Sequence, residues 1–217
     1  EDSVYNGRSG LGNIYTWAAG NGLDADDNSN YDGYSNSRYS IAVAAITHYG
    51  EQSWYSEPGA NILVTAHSNG GSPNYEGITT TDITGNGGYD GGDVTHDFGG
   101  TSSATPLVSG VIALVLEANP DLTWRDVQNI LVHSSRKNDA NDSSWNVNGA
   151  GHDVSHKFGF GAVDAGAAVS LALNWSSSGV ETNASFGPYT PNLDIDNGPS
   201  TWTCLLYTSD AADESSS

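Results

Sequence analysis

A serine among small residues, at the start of an apolar segment, is the strongest candidate for chemistry in this chain. The sequence Gly100-Thr101-Ser102-Ser103-Ala104-Thr105-Pro106 runs directly into the apolar segment 107–116. Glycine permits a tight turn, and an almost wholly apolar helix behind it is expected to be buried on every side. Ser102 would then lie where unpaired N–H groups and the positive end of the helix dipole converge. That position favours the negative charge that develops when a hydroxyl attacks a carbonyl.

Two interpretations of this serine are open on local sequence alone. One is a nucleophile for acyl transfer. The other is a helix cap at Thr101 or Ser102, which is the commoner use of serine and threonine at a helix start. The segments around the turn must decide between them.

Polar loops follow predicted strands, and the first of them comes after Gly20-Asn21-Gly22. The segment 13–19 is short and mostly apolar, which is typical of a strand inside a parallel sheet. In open α/β sheets, sites are built at the carboxyl ends of strands. The polar loop 23–37 begins at such an end. Further strands are predicted at 41–46 and, from weaker patterns, at 62–66 and 78–82.

Three helices are predicted after the serine turn. The first continues through the apolar segment to the break at Asn119-Pro120-Asp121-Leu122. Thr123 then caps a helix over 124–134, with Asp126 three residues on, and an Ala-rich helix covers 164–173. Strands followed by helices predict an α/β fold, mainly a parallel sheet flanked by helices. The Gly- and Asp-rich segment 84–97 is weakly similar to a calcium-binding nonapeptide repeat. Such repeats need stacked neighbouring copies for stability, and only one copy is present, so the segment is interpreted as a hairpin or surface loop.

Composition restricts the partners. The chain has 6 Lys and Arg against 26 Asp and Glu, a net charge of −20, which excludes binding to the phosphate backbone of a nucleic acid. Basic or cationic partners suit this charge, but the favoured general explanation is solvation of a secreted protein in salty or calcium-rich water. No apolar run approaches the ~20 residues of a membrane span, so none is expected. The single cysteine, Cys204, cannot form an internal disulfide. Oligomeric state is not predicted.

Six segments in order resemble subtilisin-like serine proteases, and within that family the kexin and furin branch. They are Trp17-Ala18-Ala19-Gly20-Asn21-Gly22, Asn30 to Ser37, Trp54-Tyr55-Ser56-Glu57, the Ser102 turn, Leu116 to Asp126, and Ser155 to Gly161. The resemblance runs from about Gly10 to Trp175. It implies a partial subtilisin-like catalytic domain that is incomplete at its N-terminus.

The resemblance also implies roles for individual residues. Ser102 matches the nucleophile, and Asn21 the side chain that donates to the oxyanion. Asp32 matches a carboxylate at the floor of the pocket that selects arginine or lysine before the scissile bond of a polypeptide substrate. Asp27 and Glu57 match carboxylates that hold calcium. For these three acids the alternative is a solvated acidic loop.

Departures from the family pattern matter equally. The catalytic Asp and His of the family precede the Asn21 position, and nothing before Gly10 supplies them, so the fragment is predicted to be inactive. The six histidines all follow Asn21, and none is assigned as the base; they are His48, His67, His96, His133, His152 and His156. His96 is interpreted as a loop or structural histidine. An inactive pseudoprotease or a calcium-binding adhesion module is the alternative function.

The resemblance divides the chain. Residues 1–175 are assigned to the catalytic domain, 176–187 to a linker and 188–203 to the truncated start of a β-sandwich P domain. Residues 204–217 are interpreted as a non-native tail, because 204–214 resembles a translated sequencing adapter. The eukaryotic convertases carry cysteines near the positions of Ser29 and Gly59, and their absence here implies a bacterial-type member. A secreted or extracellular location, including the periplasm or cell surface, follows from the family.

Overall fold

A three-stranded parallel sheet forms the centre of the molecule. The computed structural model describes residues 2–70 and 76–177. The strands are β1 (Tyr15–Ala18), β2 (Ser40–Ile46) and β3 (Ile62–His67), in the order β1-β2-β3. Residues 41–46 of the central strand are all buried, because both faces of the sheet are covered. The α/β class and the predicted parallel strands are confirmed, with small differences at strand ends.

Helices cover one face of this sheet. After the short α1 (Asp2–Asn6) come α2 (Thr101–Ala118), α3 (Trp124–Ser134) and α4 (Ala165–Ala172). The helix α2 packs against all three strands and against α4, while α3 packs against β3 and α4. The three predicted helices are confirmed. The core between helices and sheet includes Ile41, Val43, Val64, Val108, Ile112, Val115, Ile130 and Leu131.

The helix α2 is buried along one side only, so the expectation that it would be buried on every side was wrong. Ala104, Val108, Ile112 and Val115 form the buried stripe, spaced at three and four residues. On the opposite side Leu107 and Leu114 are 44% and 54% exposed, among other exposed residues. The reason is geometric: a three-stranded sheet contacts a single face of an 18-residue helix.

By length and composition α2 also meets the criteria for a membrane span, with a mean hydropathy of 1.4 over Thr101–Ala118. It is the one such helix in residues 2–70 and 76–177. The uninterrupted apolar run remains short, as expected from the sequence, and the helix meets the criteria because the average is taken over all 18 residues, including the polar ones. One such helix is weak evidence of a span, and the packing of α2 on the sheet is that of a core helix.

A hairpin lies between the sheet and α2. Strands β4 (Ile78–Thr81) and β5 (Val94–Phe98) pair antiparallel across the Gly- and Asp-rich segment, which confirms the hairpin interpretation. His96 lies on β5 and not in a loop, with its Nδ1 2.9 Å from Thr79 Oγ1. A second small pair joins β6 (Asn146–Val147) to β7 (Asp153–Val154).

The predicted cap of α3 is present and also holds the segment that follows α4. Thr123 accepts from the Asp126 N–H, and the Asp126 carboxylate accepts from the Thr123 N–H. The same carboxylate accepts from Trp175 Nε1 and Ser177 Oγ. Of the predicted linker only its first two residues lie in the described part of the chain, and the segments 188–203 and 204–217 lie outside it.

Candidate active site

The turn before α2 requires glycine. Gly100 has φ +76° and ψ 174°, a conformation that side chains rarely adopt. A Cβ built on Gly100 would lie 3.1 Å from Asn21 Nδ2, and one built on Gly99 would collide with the Asn69 side chain. The loop after β1, the end of β3 and the start of α2 therefore meet closely at this turn.

Ser102 presents a free hydroxyl at this turn. Ser102 is exposed, whereas Thr101 and Ser103 on either side are each 1% exposed. The residue before the helix is Gly100, and no side chain caps it. Within the described ranges no hydrogen bond involves the Ser102 side chain. Capping by either Thr101 or Ser102, the alternative interpretation, is therefore not what the structure shows.

The amide of Asn21 has a defined orientation. The Thr101 N–H donates to Asn21 Oδ1 over 2.9 Å, and the Thr101 hydroxyl donates to the same oxygen over 2.9 Å. A backbone N–H can only donate, so the atom facing it must be the amide oxygen. The Nδ2 group is then left on the side of Gly100 and the helix start. Of the first N–H groups of α2, those of Thr101 and Ser103 already donate to Asn21 Oδ1 and to the Gly100 carbonyl. The Ser102 N–H and Asn21 Nδ2 are the donors left for an anion at this turn.

Sequence analysis missed the side chains that hold this turn. Thr101 was considered only as a cap, yet it orients Asn21. The Gly100 N–H donates to Tyr55 Oη and Asn69 Oδ1. Tyr55 lies inside one of the recognised segments, and Asn69 follows the carboxyl end of β3. Both residues follow neighbouring parallel strands, and sites are built at the carboxyl ends of such strands, so this position was the sequence signal that could have identified them.

Glu57 lies against the backbone of the loop that follows β1. It is 7% exposed, and its Oε1 accepts from the Gly22 N–H over 2.8 Å. A side chain at Gly20 would collide with this carboxylate. A Cβ on Gly22 would lie 3.1 Å from Glu57 Oε1 and 3.2 Å from Asp27 Oδ2, so the two carboxylates approach the same point.

The electrostatics of this pair favour a cation. Burial raises the pKa of Glu57, and the charges of Asp27 and Asp32 raise it further, against the lowering effect of the Gly22 N–H. Two carboxylates that repel each other, one of them buried, are stabilised by a hard cation with oxygen ligands. Within the described residues no group of three acidic, histidine or cysteine side chains converges, so further ligands would have to be of another kind.

Asp32 lies on the outer side of its loop. Its Oδ1 accepts from the N–H groups of Tyr34 and Ser35, over 2.7 and 2.9 Å. The side chain is exposed, so the expected burial at a pocket floor is not observed in this structure. The reason is local, since the carboxylate closes its own turn. Trp17 on β1 stacks on Tyr34, with ring centroids 4.8 Å apart, and holds the loop near the strand end.

The positions that carry cysteines in eukaryotic convertases face each other. A Cβ built on Gly59 would lie 3.0 Å from Ser29 Cβ. The Ser29 N–H donates to the Pro58 carbonyl over 3.0 Å, so the two segments pack directly. Hydrogen bonds join these two segments in this chain.

Comparison with known proteins identifies the family. The Subtilase family model (Peptidase_S8) matches residues 2–161. The chain belongs to the subtilase family. Among similar proteins, human furin is 44% identical over 174 residues, which are 80% of this chain and 21% of furin. Rat proprotein convertase subtilisin/kexin type 6 is 47% identical over 178 residues, 82% of this chain and 18% of that protein. The chain thus spans about a fifth of the length of these relatives.

Solved structures of bacterial subtilases show the same fold. The serine protease of Aeromonas sobria has a TM-score of 0.72 at 28% identity, covering 77% of this chain and 38% of that protein. A protease of Pseudoalteromonas arctica has a TM-score of 0.59 at 30% identity, covering 76% of this chain and 44% of that one. The α/β arrangement described above is therefore that of a subtilase, in part.

Proposed function

We propose that this chain is the C-terminal part of the catalytic domain of a subtilase that acts as a serine endopeptidase and cleaves after basic residues. The observation that carries the proposal is Ser102, an exposed serine with a free hydroxyl at the start of a helix, beside the oriented amide of Asn21. Both neighbours of Ser102 are buried. The turn therefore presents this one hydroxyl and holds it rigidly.

The reaction follows from these groups. The Ser102 Oγ attacks the scissile carbonyl carbon and gives its proton to a histidine base. The carbonyl oxygen becomes negative and accepts hydrogen bonds from the Ser102 N–H and Asn21 Nδ2. Collapse of this intermediate breaks the C–N bond, the histidine protonates the leaving amine, and an ester to Ser102 remains. Water then hydrolyses the ester and restores the hydroxyl.

The base and its aspartate are proposed to lie upstream of Glu1, as the order of the family motifs implies. Three observations support this. Among the described strands none pairs with the outer edge of β1, one side of α2 exposes apolar residues, and the chain covers only 38% of the Aeromonas sobria protease. We call the chain together with this upstream region the parent protein.

A preference for arginine or lysine before the scissile bond is proposed, with Asp32 as the residue that selects it. The charges of Asp27 and Asp32 both act to raise the pKa of Glu57, after the larger effect of its burial, so the three carboxylates lie close enough to give this loop a negative potential, which supports the proposal. A cationic side chain compensates such charge, whereas an apolar one does not. Similarity to furin supports the same preference.

Calcium is the proposed metal. Asp27 and Glu57 would hold it, and it would supply positive charge that compensates these two carboxylates next to the Asn21 loop. Backbone carbonyls or water would complete the ligand set. A secreted or extracellular location is proposed with it, because calcium is abundant there.

Hydrolysis of defined peptides by the parent protein tests the proposal. An internally quenched peptide with arginine before the scissile bond should be cleaved, and the same peptide with leucine there should be cleaved much more slowly. Ser102→Ala should abolish cleavage. Ser109→Ala is the matched control, since Ser109 is an exposed serine on the same helix. The 217-residue chain by itself should cleave neither peptide.

Other outcomes favour other functions. Calcium-dependent stabilisation without any hydrolysis would support the pseudoprotease or adhesion module. The upstream reading frame separates the two directly: an aspartate followed by a histidine, in the order of the family, is expected for the protease.

A further inference from the structure

The backbone of Gly100 is held at both of its polar groups by side chains from outside α2. Its N–H donates to Tyr55 Oη over 3.1 Å and to Asn69 Oδ1 over 3.2 Å. Its carbonyl accepts from Ser68 Oγ over 2.8 Å. The residue two positions before Ser102 is therefore fixed by the loop after β2 and by the end of β3.

Tyr55 lies at the centre of this arrangement. Its hydroxyl is 2.7 Å from Asn69 Oδ1 and 2.9 Å from Ser68 Oγ. The residue is 5% exposed, so water has little access to replace these bonds. A tyrosine hydroxyl has one proton and can accept as well. Donation to Asn69 Oδ1 and acceptance from the Gly100 N–H use both capacities.

We propose that Tyr55 is a positioning residue of the active site, an inference that rests on the function proposed above. Its hydroxyl does not touch the reacting atoms. It fixes the Gly100 turn, and the turn sets the direction of the Ser102 N–H and of the Ser102 side chain. Donors that are already aligned need no reorganisation when the oxyanion forms, and small displacements of reacting groups lower the rate strongly.

A purely structural role would give a different result. The Tyr55 ring belongs to the main core, so its packing contributes to stability whatever the hydroxyl does. Tyr55→Phe keeps the ring and removes only the hydroxyl. Tyr5→Phe is the matched control, because Tyr5 also bonds through its hydroxyl, to Tyr39 Oη over 2.8 Å, in a part-buried position on α1.

Steady-state kinetics of the parent protein should separate the two roles. Tyr55→Phe should lower kcat about fivefold to tenfold, the effect of one lost hydrogen bond, with KM changed less than twofold and the pH profile unchanged. Tyr5→Phe should lower the melting temperature about as much as Tyr55→Phe does, but it should leave kcat unchanged. An unchanged kcat in Tyr55→Phe, or equal losses in both variants, would overturn the inference.

A second variant tests whether the hydroxyl acts through Asn69. Asn69→Ala removes the shared acceptor and should also lower kcat. The double variant should lose little more than the larger single loss, because residues of one network are not additive. Fully additive losses would contradict a common action on Gly100.

Amide hydrogen exchange gives a readout that does not depend on turnover. The Gly100 amide should exchange faster in Tyr55→Phe than in the unchanged protein or in Tyr5→Phe. Unchanged exchange at Gly100 would overturn the positioning role. If the unchanged parent protein cleaves no peptide, the proposed function fails, and Gly100 exchange still decides whether Tyr55 holds the turn.

Discussion

At the scale of single residues, the site depends on which way two side chains point. The local sequence left Ser102 open between a helix cap and a nucleophile. Asn21 was assigned only through the resemblance to subtilisin-like proteases, since an asparagine between glycines is otherwise most often a turn residue. The orientation of the Asn21 amide could not be predicted. It is determined by Thr101, 80 positions along the chain, whose N–H and hydroxyl both meet the amide oxygen.

Removal of the Asn21 amide should reduce catalysis selectively. In the parent protein, Asn21→Ala should lower kcat by about 10² to 10³, the range known for the corresponding donor in subtilisin itself, with little change in KM. The physical reason is that Nδ2 meets the oxygen only once it becomes negative. Asn36→Ala, an exposed asparagine of the neighbouring loop, is the control for steady-state kinetics. A rise in KM with kcat unchanged would contradict this prediction, because it would show that Asn21 contributes only to ground-state binding of the substrate.

At the scale of elements, hydrophobic patterning located the strands and helices but did not predict which of their faces are buried. The short apolar run of each strand and the capping box at Thr123 are local signals, because each depends only on residues that are neighbours in sequence. Burial of α2 is not local, since it depends on how many strands lie against the helix, and its exposed side was not foreseen. Similarly, the Asp32 turn was placed correctly after β1, but the exposure of its carboxylate is decided by the turn conformation.

The loop after β1 should respond to calcium. Millimolar calcium should raise the melting temperature of the parent protein, because an ion bound by the folded state at 100 times its dissociation constant contributes about 2.7 kcal/mol. Asp27→Asn should remove most of this increase. Asp26→Asn is the matched control: Asp26 is exposed, and asparagine tolerates its φ of +55°. Equal calcium responses in both variants, measured by thermal unfolding, would contradict the assignment.

At the scale of the whole molecule, the excess of acidic residues makes the environment of individual carboxylates important. The chain carries 26 Asp and Glu, and most of their partners could not be predicted, because ion pairs join distant positions. Lys157 Nζ lies 2.7 Å from Asp142 Oδ2, and Lys137 Nζ lies 2.8 Å from Asp153 Oδ1. The lysines are similarly exposed, but the Asp142 side chain is 14% exposed and that of Asp153 is 43% exposed. The two pairs therefore differ mainly in the exposure of the aspartate.

Acid unfolding should depend on Asp142. Its burial acts to raise the pKa, but hydrogen bonds from Lys157 and Ser144 outweigh this and lower the pKa to about 2. Since the ordinary pKa is 3.8, the unfolded chain binds the proton first. Because Lys157 is 36% exposed, solvent screens the pair, and the stabilisation is about 1 to 2 kcal/mol. It is present above pH 4 and is lost as the pH falls through 2.

Denaturant unfolding at pH 6 and pH 2.5 measures this difference. Asp142→Asn should be less stable than the unchanged protein at pH 6, and this deficit should fall to about a third at pH 2.5, because a carboxyl with a pKa of about 2 is still mostly ionised there. Asp153→Asn should differ little at either pH, because an exposed pair contributes less than about 1 kcal/mol. A similar loss in both variants would show that exposure does not separate the two pairs.

The central claim is that the hydroxyl at the start of α2 is a catalytic nucleophile. Mass spectrometry of the parent protein after treatment with a fluorophosphonate tests it most directly, because this reagent forms a covalent bond only with an activated serine. The adduct should lie on Ser102, should disappear in Ser102→Ala and should persist in Ser109→Ala. An unlabelled Ser102 in a folded parent protein that contains the upstream aspartate and histidine would contradict the account.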